Sequence, residues 1–264
     1  MLRIISLGAG VQSSAMALMA AHGVLRPMPQ AAVFADTGWE PAAVYRWLRY
    51  LEARLPFPVL RVSNGSIRED LIRNARGETV GKRSATPPLF TLREGRPGML
   101  WRQCTSAYKV EPVHRMLRRM LGIPPGKPVP EGTLIEVWLG ISVDEAHRQK
   151  PASEHWVRRR WPLLEAGFRR DDCLAWLRRH GYPAPPKSSC IGCPYHSDAE
   201  WRRIKADPEA WASAVAVDRL IRGGLRGTPG PLFLHRSCRP LEEVPLGEDQ
   251  MDLFGEECEG FCGL

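Results

Sequence analysis

The chain has 264 residues, 44% of them hydrophobic, which is enough apolar material for one cored domain or one domain with a small appendage. No apolar run reaches the roughly 18 residues of a membrane helix, and the run in residues 1–7 is too short for a secretory leader; a soluble, cytoplasmic protein with no membrane partner is expected. The formal charge of +8, dominated by arginine, points to a polyanionic partner.

Residues 2–7 are an apolar, β-branched run and predict a buried strand, broken by Gly8-Ala9-Gly10. Residues 12–22, rich in Ala and Met, predict a helix. Residues 31–35 predict a second strand ending at Asp36. Residues 40–54 predict an amphipathic helix with Val44, Trp47, Leu48 and Leu51 on one face, and 58–62 a third strand. This alternation implies an α/β fold with a doubly wound, mostly parallel sheet. Residues 77–103 carry many Gly, Pro and Arg and little periodicity, the mark of a functional or mobile segment. A helix is expected over 106–121, a strand over 134–141, and a short helix over 171–180 capped by Asp171 or Asp172. A proline-rich stretch then leads to Cys190 and Cys193. Residues 197–222 read as helical, with Trp201, Ile204, Trp211, Val215 and Leu220 as apolar positions, and an acidic tail with two cysteines follows. No internal repeat is evident.

A strand, then Gly8-Ala9-Gly10-Val11-Gln12-Ser13-Ser14, then a helix is what an anionic ligand needs. Glycine lets backbone approach closely, and the helix start offers unpaired N–H groups and a positive dipole end. Ser13 and Ser14 can add hydroxyl donors. The pattern is neither a Walker loop nor a dinucleotide fingerprint. Asp36 ends a buried strand, where open α/β sheets place ligand-binding groups, and suits Mg²⁺ or a ribose hydroxyl; capping the next helix, in competition with Thr37, is the structural alternative. Lys109 and Arg148 are cations suited to charge developing at phosphorus, although Asp144 can pair with Arg148 at i,i+4. Arg158-Arg159-Arg160-Trp161 mixes arginine with an aromatic, as nucleic-acid surfaces do, although a core strand with Trp161 buried is the expected alternative. The seven cysteines, an odd number, argue against a disulfide framework and for metal, cluster or thiol chemistry. Cys173 sits at an apolar helix position and reads as core.

Five segments in order resemble the PP-loop superfamily, in the form typical of proteins related to phosphoadenylylsulfate reductase (adenine nucleotide alpha hydrolase-like). Ser6-Leu7-Gly8-Ala9-Gly10-Val11-Gln12-Ser13-Ser14 is similar to its phosphate motif, and Phe34-Ala35-Asp36-Thr37-Gly38-Trp39-Glu40 to its second-strand motif. Cys104 to Pro112 resembles C-x-x-x-x-K-x-x-P, Gly140 to Arg148 resembles G-x-x-x-D-E-x-x-R, and Cys190-Ile191-Gly192-Cys193-Pro194 resembles C-x-x-C-P. The resemblance implies a nucleotide-binding domain over residues 1–196 and a small helical extension over 197–264 ending in the cysteine-bearing tail. It implies an adenine nucleotide, ATP with Mg²⁺ or an adenylylated sulfate, held by Ser6, Gly8, Ala9, Gly10, Gln12, Ser13, Ser14, Asp36 and Thr37.

In iron–sulfur members of the family, thiolates at the positions of Cys104, Cys190 and Cys193 hold a 4Fe–4S cluster. A single Cys104 stands here where the reductases have a pair, so the fourth iron is capped by Cys238, Cys258 or Cys262, Cys258 first, or left open; zinc is the alternative metal, and a reduced, unligated pair of thiols the alternative to any metal. Cys262 in the tail is the expected nucleophile. The resemblance implies an ATP-dependent, AMP-forming sulfurtransferase acting on tRNA or DNA. The alternatives are a thioredoxin-dependent adenylylsulfate or phosphoadenylylsulfate reductase and a non-catalytic nucleotide-binding subunit. A cysteine desulfurase or thioredoxin is the expected protein partner, with a homo-oligomer as a further expectation.

Overall fold

The structure, a computed structural model, describes residues 1–78, 86–228 and 230–247. Five parallel strands form the central sheet: β1 (Leu2–Ser6), β2 (Ala31–Asp36), β3 (Val59–Ser63), β6 (Ile135–Trp138) and β7 (Val157–Arg160), in the order β3-β2-β1-β6-β7. All four pairings are parallel, as the alternation of strands and helices required. A second, antiparallel sheet has the order β5-β4-β8, built from β4 (Phe90–Arg93), β5 (Arg96–Met99) and β8 (Leu232–Phe233). The α/β class and its mostly parallel sheet are therefore as expected.

Helix α1 (Val11–Ala21) follows the glycine turn and is buried on every side from Val11 to Ala20. Its small residues allow this: the helix lies against the sheet on one side and against α6 (Arg170–Arg179) on the other, where Trp176, Leu177 and Cys173 close the same core. Helix α2 (Ala42–Glu52) buries Val44, Trp47, Leu48 and Leu51, the stripe its periodicity foretold. Helix α3 (Ile67–Ala75) was not foreseen; Ser66 caps it by accepting from Glu69 N–H. A single π-helical turn, Ser106–Val110, runs into α4 (Glu111–Met120). A short 3₁₀ segment, Val143–Arg148, follows β6, and α5 (Pro162–Glu165) follows β7. Helix α8 (Pro208–Ile221) packs on α3 and the small sheet, and α7 (Asp198–Lys205) packs on α8. One apolar cluster joins Trp39, Ile67 and Leu71 to Trp201, Val217 and Leu241, so the core runs across residue 196.

Three local expectations are corrected. The cap of α6 is Arg169, and Asp172 contributes from inside the first turn by accepting Arg169 N–H at 2.8 Å. Leu220 is 37% exposed because α8 turns that face outward. The stretch 77–103 contains the β4–β5 hairpin. Its turn, Glu94-Gly95, has positive φ at both residues, the geometry that matches the twist of paired strands, although glutamate gives no signal for it. No helix of the described residues is long and apolar enough to cross a membrane.

Candidate active site

The strand order reverses direction at β1, which has β2 on one side and β6, reached only after the excursion through α4, on the other. Open α/β sheets bind ligands in the crevice beyond the strand ends at such a point. The turn after β1 and the segment after β6 meet there. A Cβ at Gly140 would stand 2.8 Å from Ser13 N, so only glycine lets the second backbone approach the first so closely. Gln12, 1% exposed, donates from Nε2 to Glu145 at 3.2 Å and to Ser142 at 3.4 Å, and accepts from Arg170 Nη1 at 3.1 Å.

This arrangement alters several expected roles. Arg148 pairs with Glu145 at 2.6 Å, whereas Asp144 turns away to accept from Arg170 N–H at 3.2 Å. Arg148 therefore reaches the turn through Glu145 and Gln12. The Ser14 hydroxyl is completely buried and accepts from Trp47 Nε1 at 2.8 Å, which anchors α1 on α2. Ser13 Oγ bonds back to Gly10 O at 3.4 Å. Asp36 Oδ1 accepts from Gly38 N–H and from Tyr45 O–H, each at 2.8 Å. Burial, and then that carboxylate, push the Tyr45 phenol far up, so it stays a donor. Thr37 does not cap α2, whose N-cap is Pro41.

A cleft beside the turn is lined by Ser6, Leu7, Gly8, Ala35, Glu40, Thr105, Lys109 and Ser188. A second, more apolar cavity is lined by Trp39, Pro87, Pro88, Arg102, Cys104, Thr105, Lys109, Cys190, Gly192, Cys193 and Tyr195. Thr105 and Lys109 are walls of both. Lys109 lies in the π-helical turn and Thr105 immediately precedes it, an irregularity frequent at functional sites. Cys104, Cys190 and Cys193, separated widely in sequence, thus share one cavity a single side chain away from the phosphate turn.

Contacts from distant chain segments fix this wall. Ser188 donates its hydroxyl to Gly8 O, and Ile191 N–H donates to Trp39 O at 2.8 Å. Thr37 Oγ1 donates to Glu40 Oε1 at 2.9 Å and lies 3.1 Å from Cys190 Sγ, which itself points at Glu40 Oε1 at 3.6 Å. Gly192 packs under the Trp39 indole so tightly that a Cβ would stand 2.0 Å from Cη2. His196 caps the cysteine turn by bonding Cys190 O at 2.8 Å. Sequence reasoning passed over Glu40, Trp39 and Ser188, although Trp39 and Glu40 stand inside the quoted second-strand motif.

The donor set is chemically right for a thiophilic metal. Among the described residues no three Cys, His, Asp or Glu groups converge on a point where they could hold a metal ion. Cys104, Cys190 and Cys193 line one cavity. Cys238 is buried on the small sheet, its thiol donating to Thr91 O at 3.6 Å, and burial pushes that thiol up. Cys258 and Cys262 lie outside the described residues.

No protein-family model matches the chain, and no curated protein matches it in sequence. Among solved structures it is similar to a phosphoadenylyl-sulfate reductase from Candida auris in a phosphate complex. The identity is 13%, covering 69% of this chain and 74% of that one, with a TM-score of 0.45. It is also similar to the U34-tRNA thiolase NcsA from Methanococcus maripaludis, solved with its 4Fe–4S cluster. There the identity is 10%, covering 83% of this chain and 72% of that one, with a TM-score of 0.38.

Proposed function

We propose that the chain is an enzyme that uses ATP to activate an acceptor oxygen and then exchanges that oxygen for sulfur at the adjoining thiols. The observation that carries this reading is the shared wall: Thr105 and Lys109 line both the phosphate-turn cleft and the thiol cavity. A nucleotide at the turn and a sulfur-bearing cysteine in the cavity would then lie close to one substrate atom, where positioning contributes most to rate.

The first step forms a bond between an acceptor carbonyl oxygen and the α-phosphorus and breaks the bond to pyrophosphate. Lys109 faces the charge that grows on the phosphoryl oxygens, and the glycine turn offers backbone N–H groups to the remaining phosphates. In the second step, the outer sulfur of a persulfide on one cavity cysteine attacks the activated carbon, and AMP leaves with the former acceptor oxygen. A second thiol attacks the mixed disulfide, freeing the thiolated product. The resulting cysteine–cysteine disulfide is reduced by a thioredoxin-type dithiol. A cysteine desulfurase is the matching source of the persulfide.

The net charge of +8 favours a nucleic-acid acceptor. The test is AMP and pyrophosphate formation from ATP by purified protein, with and without bulk tRNA or DNA and a persulfide donor. AMP formation that needs the nucleic acid and is lost in Lys109→Met supports the reading. Turnover of an adenylylated sulfate with thioredoxin, and no turnover of ATP, replaces it with a reductase.

A further inference from the structure

Consecutive residues of segment 185–188 serve two different spaces. Ser188 donates its hydroxyl to Gly8 O and lines the phosphate-turn cleft, whereas Pro185, Pro186 and Lys187 line a separate cavity of about 570 Å³. That volume falls within the range of about 300–1,000 Å³ that small-molecule sites occupy. Neither Lys109 nor any described cysteine borders it, so it is not the place of the sulfur chemistry proposed above.

Charge in this cavity is one-sided. Among the described residues, Arg46 of α2, Arg170 at the start of α6, Lys187 and Arg203 of α7 border it, four cations against the two carboxylates of Glu200 and Asp207. Both carboxylates are already engaged. Glu200, 7% exposed, pairs with Lys187 at 3.2 Å and with Arg203 at 3.0 Å. Asp207 caps α8 by accepting from Ala210 N–H at 3.2 Å. Arg46 forms no ion pair with a described residue. The backbone adds to the imbalance. The cavity reaches Val11, the first residue of α1, and Pro41 and Ala43 at the start of α2. Neither helix has a side-chain cap or an acidic residue in its first turn, so neither offsets its own positive dipole end.

The remaining wall is apolar, formed by Leu174, Pro185, Pro186 and Ile204. An inorganic anion uses the cations alone and gains nothing from that half, and a sugar phosphate has no apolar surface to bury there. A phosphorylated ligand with a flat, largely apolar body uses both halves. We infer that this cavity is a second small-molecule site, separate from the phosphate turn, for a nucleoside phosphate. Its phosphates lie against Arg46, Arg170 and the two helix starts, and its base against the apolar wall. The inference goes beyond the activity proposed above, which occupies only the cleft and the thiol cavity.

The test is isothermal titration of full-length protein with ADP. Two binding events per chain are expected. Arg46→Glu should weaken one of them about tenfold or more and leave the other, and Arg46→Lys should restore most of the loss. Lys109→Met should act on the other event instead. Arg46 is exposed, so thermal denaturation should be unchanged in its variants. Photolabelling with an azidoadenine derivative of ADP locates the site independently: labelled peptides should come from 185–187 or from α7, besides those from the cleft. Binding that is the same in wild type and Arg46→Glu, or label confined to the cleft, overturns the inference. It is also overturned if inorganic pyrophosphate displaces ADP from the Arg46-sensitive event as readily as ADP itself, or if a single-stranded oligonucleotide does so at lower concentration. Because no AMP formation is read, these failures are separate from failure of the ATP-using reading. A single event that responds to Arg46→Glu and not to Lys109→Met would keep the cavity site and remove the nucleotide from the turn.

Discussion

The two cavities that share Lys109 are built on opposite plans. The cleft at the phosphate turn is shaped by backbone: a glycine turn at a strand end, braced by Gly140 and by the Gln12 network, with the parallel sheet behind it. The thiol cavity is shaped by side chains, with an indole, prolines and a tyrosine contributed by loops that the sheet does not hold directly. Backbone geometry is set once by the fold and tolerates changes in side chains around it. A cavity of side chains depends on each packing contact. Substitutions should therefore act differently on the two halves, and the shared wall should feel both.

The largest effect is expected at that wall. Lys109→Met keeps the bulk and removes the charge, so AMP formation should fall about 10²- to 10³-fold with little change in thermal stability. A loss confined to sulfur transfer, with AMP formation intact, would assign Lys109 to the thiol side alone. Gly192→Ala and Gly140→Ala then separate the two plans. The first drives a methyl into the buried Trp39 ring, which cannot swing away because its Nε1 is held by Ser213 at 3.0 Å. The cost is about 1–3 kcal/mol of stability, read by urea denaturation, with altered thiol alkylation and little change in ATP affinity. The second pushes against the backbone at Ser13. A similar stability cost should come with weakened nucleotide binding and normal thiol reactivity. The same readout from both variants would show that the cavities are not distinct.

The difference also decides how much could be read from the chain alone. The parallel half was legible because each element carries its own periodicity and the glycine turn marks the ligand end. Helix α3 announced itself only through Ser66 and Glu69, a local signal that was passed over. The hairpin was hidden, since its turn uses Glu94 at φ 50° where asparagine or glycine would have given notice. Within the site, the motifs named Cys104, Lys109, Cys190 and Cys193. They could not show that Ser14 serves Trp47, that Arg148 is spent on Glu145, or that Ser188 reaches Gly8 from 180 positions away. The first and last are pairings between distant segments, which neither composition nor spacing encodes; the Arg148–Glu145 pair is local, at i,i+3, but its partner competes with the Asp144 that the spacing also offered.

Acidity offers a smaller test. Burial holds the pKa values of His114 and His235 below 6.5. Each is therefore favoured neutral in the folded chain, and the unfolded chain takes up the proton first. Their contribution is present above the unfolded value and is lost as pH falls below about 6.5, with a slope of at most ~1.4 kcal/mol per pH unit for each histidine. Asp218, pushed up by burial, acts in the opposite sense: it contributes at low pH and loses that contribution as pH rises through its folded value. Urea midpoints between pH 7.5 and 5.5 should fall, and fall less in His235→Gln. No histidine lines the phosphate-turn cleft, so nucleotide affinity should move less than stability over the same range. A steeper change in affinity than in stability would place a titrating group at the turn.

The smallest effect bears most directly on the claim that backbone makes the phosphate turn. Ala9 occupies φ 59° and is fully buried. An alanine in the left-handed region is strained by about 1–2 kcal/mol, while glycine there costs the unfolded chain about 0.4–1 kcal/mol of extra entropy to order. Ala9→Gly should therefore stabilise the protein by under ~1 kcal/mol, a rise in melting temperature of about 1–3 °C. If the turn works through its N–H groups, nucleotide affinity should be kept, since the substitution leaves every donor in place and relaxes the conformation that aims them. A stabilised protein that binds nucleotide at least as well would mean that the methyl is tolerated in the turn and has no part in its function. A loss of affinity would mean that the methyl itself holds the loop against its neighbours, and that in this chain even the backbone half of the site depends on side-chain packing.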